Sequence, residues 1–183
     1  MLIALLGIIL FCFLGGVHVE KKLLLLKEIE DDYQRAYRLV SYLFQDRKDK
    51  AGDAYVEHLI RVSDRITSHD AKVAALLHDV VEDIPDFTFQ DLESLNFSSS
   101  IIDIVKIVTK DKSKNLSYHD WISEMLSIGN DEAIKVKYSD MMDNFDLNRL
   151  NRLDEDTKRR LIMKYKDELE RLRMYLDNHK IVL

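Results

Sequence analysis

The sequence predicts an all-α fold, a helical bundle, and two observations carry the prediction. The 183-residue chain holds only five glycines and one proline, too few for a sheet with many turns. Apolar residues recur at helical intervals between polar loops, as in Tyr33, Ala36, Val40 and Leu43. The length suits one domain with an adequate core, and 46% hydrophobic with 33% charged residues is ordinary for a globular chain. A single cysteine, Cys12, excludes a disulfide framework and a thiolate-rich zinc site.

Taken in order, residues 1–20 form an apolar leader, and Met1 to Val17 carries no charge. That stretch sits at the lower limit for spanning a bilayer and lacks the basic start of a secretory signal. Lys21 and Lys22 follow it, so an inserted leader would leave residues 21–183, the expected folded domain, in the cytoplasm. The alternatives are an extra leader from an upstream start codon and a hydrophobic helix packed on the domain. Lys22 to Phe44 reads as a helix, and Gln45 to Asp53 as a lysine-rich loop around Gly52. Ala54 to Ile66 is a second helix. A third, capped by Ser68 or Asp70, runs through Leu77 into His78-Asp79, and Pro85 ends it. Thr88 to Leu95 reads as a short capped helix, and Ser99 to Val108 as a buried one. Thr109 to Ser117 reads as a loop. Helices follow at about Tyr118 to Ile128 and Asp131 to Asn144, with a long terminal one over roughly Glu155 to Asn178.

The chemistry-bearing residues are dispersed: His58, the His78-Asp79 doublet, and Asp140. Two imidazoles and two carboxylates suit a hard-to-borderline divalent ion such as manganese. The doublet closes the apolar run Ala74 to Leu77, where unpaired polar groups would be costly to bury. On a continuous helix Glu82 and Asp83 lie four residues after His78 and Asp79, which places both acids on the same face as the doublet. Asp140 is expected on a helix with Ile134, Val136 and Met142 on its apolar face. Asn144 lies one turn later, placed to hydrogen-bond a ligand group or a substrate. His18, His69, His119 and His179 read as structural or exposed histidines.

Charge adds a constraint. A net charge of −6 excludes a general nucleic-acid binder. Basic clusters nevertheless flank the acidic centre: Arg47, Lys48 and Lys50; Lys110, Lys112 and Lys114; Arg149 and Arg152. Such cations would offset the repulsion between a carboxylate-rich site and an anionic substrate.

These residues stand in a pattern that resembles a known family. Its elements are Arg47-Lys48-Asp49 with Gly52, Tyr55 and His58-Leu59-Ile60-Arg61-Val62; Leu76-Leu77-His78-Asp79-Val80-Val81-Glu82-Asp83; Val108-Thr109-Lys110-Asp111-Lys112; and Val136-Lys137-Tyr138-Ser139-Asp140 through Asn144 to Leu147 and Arg149. Over roughly Tyr33 to Leu172 the chain resembles the HD superfamily of phosphohydrolases, specifically the hydrolase domain of the Rel/SpoT guanosine polyphosphate enzymes and their small stand-alone relatives. The Glu-Asp pair directly after the doublet points to that branch more specifically than the doublet does.

The resemblance implies an HD-domain helical bundle that uses manganese to remove the 3′-pyrophosphate from (p)ppGpp in the cytoplasm. It implies His58, His78, Asp79 and Asp140 as metal ligands, and Glu82 and Asp83 as the groups that orient and deprotonate water. Arg47, Lys48, Tyr55, Lys112 and Asn144 would contact the nucleotide, and Lys164 with Tyr165 could close the pocket. Two alternatives stand beside it: an HD phosphohydrolase with another nucleotide substrate, and a non-catalytic nucleotide sensor. The chain departs from the family pattern at Ala54 and Leu59, where prolines are usual, and at Met141 and Asp143, where arginine and histidine are common. The last two bear on the support of the metal and on the substrate, and leave the ligand set intact.

Overall fold

A computed structural model describes residue 23 and residues 25–183. The expected leader, with His18, lies outside the described residues. Among the described residues no helix is long and apolar enough to cross a membrane.

The architecture is all-α. A 3-10 turn at Leu25–Glu28 precedes α1 (Asp32–Leu43), α2 (Tyr55–Asp64), α3 (His69–Leu77) and a one-turn α4 (Val80–Asp83). Then come α5 (Phe89–Ser94), α6 (Ser99–Val108), α7 (Tyr118–Ile128), α8 (Asp131–Asn144), a short α9 (Leu147–Leu150) and the long α10 (Glu155–His179). Side-chain caps set several starts. Asp31, Ser98, Ser117, Asn130 and Asp154 each accept a backbone N–H of the first turn. Gly129, at φ +68°, ends α7 in the left-handed conformation that lets α8 begin two residues later.

The α3 helix is the hub. Ala71 and every residue from Val73 to Leu77 are buried, and α1, α2, α6 and α8 all pack on it. This explains why its sequence from Val73 to Leu77 is continuously apolar, as expected of a stretch without a solvent face. His69, Asp70 and Lys72 in its first turn reach solvent. The terminal α10 lies on α8 and α7 and contributes Leu161, Tyr165, Leu172 and Leu176 to the core.

Three expectations need correction. The segment expected as one helix up to Phe44 is not continuous: a 3-10 turn at Leu25–Glu28 and the extended Asp31 precede α1, which starts at Asp32 because Asp31 caps it. Ser68 occupies the N-cap position of α3 but makes no capping bond, since its hydroxyl hydrogen-bonds Glu132 instead. In α8 the buried apolar side chains are Ala133, Ile134, Val136 and Met141, while Met142 faces outward. Met141 lies seven residues, two turns, after Ile134, and so shares its face.

Candidate active site

Four helices converge on the site. His58 comes from the second turn of α2, His78 and Asp79 from the joint between α3 and α4, and Asp140 from the last turn of α8. The joint matters. Here α3 ends at Leu77, His78 is its C-cap and Asp79 is the N-cap of α4, at φ −100° and ψ −4°. The break departs from the continuous helix expected from sequence, and it lets adjacent side chains meet, with His78 Nε2 3.2 Å from Asp79 Oδ2. His58 Nε2 lies 3.4 Å from Asp140 Oδ1 and 3.9 Å from Asp79 Oδ2, and His78 Nε2 lies 3.7 Å from Asp140 Oδ1. Ligand atoms of His58, His78 and Asp140 all fall within 4.8 Å of one another, a group that could hold a metal ion. Asp79 faces both imidazoles from the remaining side.

The donor set fits a cation on two further grounds. His78 Nδ1 donates to the Ala75 carbonyl at 2.7 Å, which turns Nε2 into the cluster, where it is buried without a hydrogen-bond partner. Orphaned polar atoms are rare in folded interiors, and this one points at three carboxylate or imidazole neighbours. His58 is held the same way, its Nδ1 2.8 Å from Asp143 Oδ2. Both rings therefore present Nε2 to one centre, with the outward nitrogen fixed by an acceptor.

Electrostatics reflects the crowding. Burial lowers the proton affinity of both imidazoles, but Asp79 and Asp140 at His78, and Asp140 and Asp143 at His58, outweigh it and raise both above the ordinary histidine range. Burial pushes the carboxyls of Asp79 and Asp140 up. The imidazoles at Asp79, and Lys137 with the imidazoles at Asp140, more than reverse that and hold both below the usual range. Lys137 Nζ sits 2.7 Å from Asp140 Oδ2, and Asn144 Nδ2 donates to Asp140 Oδ1 at 2.6 Å. Asp140 is thus gripped at both oxygens. The amide of Asn144 is spent on Asp140, so its first role in the structure is to orient that carboxylate.

The acid pair is split. Asp83 Oδ2 is 2.7 Å from Arg47 Nη2 and accepts from the Tyr55 hydroxyl at 3.3 Å. The Glu82 carboxylate has a loose 4.0 Å contact between Oε1 and Lys112 Nζ, which donates to the Glu82 backbone carbonyl at 3.3 Å. Tyr55 also donates to Asp79 Oδ2 at 2.5 Å, and its ring lies beneath the Arg47 guanidinium at 4.4 Å. Burial, then Asp79, pushes the Tyr55 hydroxyl far above the usual phenol range, so it stays a donor.

A cavity of about 490 Å³ opens over this centre. Arg47, Lys48, Lys50 and Tyr55 line it together with Tyr118, Trp121, Lys164 and Tyr165, and Glu82, Asp83 and Asn144 are also on its walls. Lys112 does not line it. It lies 72% exposed over a neighbouring cavity of about 580 Å³, which shares Glu82, Lys110 and Trp121 with the first. Arg149 and Arg152 are engaged internally, Arg149 with Asp49 and Asp143, and Arg152 with both oxygens of Asp53. Sequence reasoning gave no role to Lys137, Tyr118 or Asp143. Lys137 carried a readable signal, three residues before Asp140 on one helix. Tyr118 carried none, and Asp143 showed only as a departure from the family pattern until the helices were assembled.

An all-helical domain around a buried His-Asp cluster that could hold a metal ion is similar to several known proteins. The chain is 36% identical over 115 residues to the guanosine-3′,5′-bis(diphosphate) 3′-pyrophosphohydrolase MESH1 of Drosophila melanogaster, covering 59% of this chain and 63% of that protein. It is 29% identical over 134 residues to the guanosine-3′,5′-bis(diphosphate) 3′-pyrophosphohydrolase of Aquifex aeolicus, covering 69% of this chain and 19% of that one. A solved metazoan orthologue of SpoT, described as hydrolysing ppGpp, superposes with a TM-score of 0.59 at 27% identity, over 82% of this chain and 94% of the other. No profile of a known protein family matches the chain. The chain spans less than two thirds of the curated relatives' own lengths. The chain therefore shares the all-α fold of the solved SpoT orthologue and is similar in sequence to these pyrophosphohydrolases.

Proposed function

We propose that the chain is a metal-dependent phosphohydrolase that converts ppGpp or pppGpp to GDP or GTP and pyrophosphate, with manganese as its ion. The observation that carries this reading is the unpartnered, buried His78 Nε2 facing Asp79 and Asp140 beneath a cation-rimmed cavity. The named activities of the MESH1 and Aquifex relatives supply the substrate class.

His58, His78, Asp79 and Asp140 would hold the ion. A divalent cation there supplies Lewis-acid polarisation and brings the pKa of water down to about 7. The residues of the chain do the rest. Glu82, with only a loose contact at 4.0 Å, takes the proton of the attacking water. Asp83, fixed by Arg47 and Tyr55, orients that water. Water oxygen bonds to the phosphorus nearest the ribose, the bond from that phosphorus to O3′ breaks, and O3′ leaves with a proton. Arg47, Lys48, Lys50, Lys137 and Lys164, all on the cavity lining, offset the negative charge of the polyphosphate. Lys112 meets the substrate only at the rim.

Purified protein incubated with ppGpp and manganese should yield GDP and pyrophosphate, and none with a chelator present. Release of orthophosphate, or turnover of other nucleotides with ppGpp untouched, would redirect the reading to a different HD phosphohydrolase.

A further inference from the structure

The strongest unassigned feature is an ion cluster behind the site, centred on Asp143. This carboxylate is 1% exposed and carries more cationic neighbours than any single partner requires. Its Oδ2 receives His58 Nδ1 at 2.8 Å and the Arg149 Nη1 contact. Its Oδ1 receives Arg61 Nε at 2.8 Å and Arg65 at 3.3 Å. Arg149 continues from Asp143 to Asp49 at 2.7 Å, and Asp49 accepts the backbone N–H groups of Ala51 and Asp53. An unbroken polar chain therefore runs from His58, through Asp143 and Arg149, into the loop that carries Arg47, Lys48 and Lys50.

We infer that Asp143 is a positioning residue for the ion site: it fixes the ring of His58 so that Nε2 faces the cluster, and Arg61, Arg65 and Arg149 clamp Asp143 for that purpose. This rests on the metal-site reading above and extends it. The physical grounds are geometric. An imidazole on a helix can rotate about its side-chain torsions, and one strong acceptor behind Nδ1 selects the orientation and tautomer that turn Nε2 inward. A carboxylate serving this role must itself be immobile, and three guanidiniums arranged about two oxygens achieve it. A cluster serving only to join α2 to α8 would not need to terminate on an imidazole that faces the cation centre.

The test is manganese affinity of the metal-free protein without substrate, by calorimetry or electron paramagnetic resonance, on Asp143→Asn and Arg61→Gln. Outer partners of metal-bound histidines contribute about 10–100-fold to metal affinity, and Asp143→Asn should weaken binding within that range. Arg61→Gln is the more discriminating variant. Removing a cation near a cation site should tighten binding by charge alone, whereas loss of the clamp should weaken it several-fold. Arg61 is one-third exposed, so this substitution should not prevent folding. Weakening in Arg61→Gln, with a melting curve that remains cooperative, supports the inference. Unchanged or tighter binding in Arg61→Gln, while wild type binds normally, overturns it and leaves the metal site standing. If wild type binds no divalent ion and behaves like Asp140→Ala, the metal site itself fails, and this inference falls with it.

Discussion

At the residue scale, the site works by fixing what each donor may do. His78 shows this most plainly: Ala75 holds one ring nitrogen, and the other has nowhere to turn but the cluster. Because His58 and His78 bind protons more tightly folded than unfolded, the metal-free protein gains stability from them below about pH 6.5, the free-histidine value. That gain is lost as pH rises through their raised folded values. A metal competes for the same nitrogens, so manganese affinity should climb with pH as protons are displaced. Thermal melts at acidic and alkaline pH, with and without manganese, should therefore show opposite trends. The acid pair supplies a second prediction. Glu82→Ala should abolish turnover with manganese binding kept, and Asp83→Ala should do less damage, since its carboxylate is restrained by Arg47 and Tyr55. Single-turnover assays beside metal titration would separate the two, and equal losses would contradict the division of roles.

At the element scale, helices were legible where periodicity and caps agreed. The helix expected at about Asp131 to Asn144 stands at those bounds in the structure, where Asn130 caps its start. What escaped was whatever depended on three-dimensional competition. The α3–α4 break at His78 leaves no mark in composition, since both backbones stay in the right-handed region. Asp143 illustrates the same limit within the site. As a sequence letter it was a departure beside Asn144, and its meaning appears only when α2 brings His58, Arg61 and Arg65 against α8. The candidate ligands, by contrast, were visible through the family pattern, and the His78-Asp79 doublet also because two polar residues closing an apolar run are costly unless something binds them. The hub position of α3 predicts that Leu77→Ala, at a fully buried side chain, costs about 2–5 kcal/mol in denaturant unfolding. A loss below 1 kcal/mol would show that neighbouring helices collapse into the gap.

At the scale of the whole molecule, the ion should act as a brace joining α2, α3, α4 and α8. An ion that binds only the folded chain stabilises it by about 2.7 kcal/mol at a hundredfold excess over Kd, or roughly 5–10 °C for a chain of this size. Differential scanning calorimetry with manganese, then with a chelator, should show that rise and its reversal, and no shift would argue against a preformed site. The layout has one more consequence. The four candidate ligands sit on α2, α8 and the α3–α4 joint, whereas Leu161, Lys164 and Tyr165, which also line the cavity, come from α10. On the proposed reading, cutting machinery and part of the doorway are thus encoded in separate stretches of the gene. Variation confined to the final helix would then reshape which guest is admitted while the blade stays untouched.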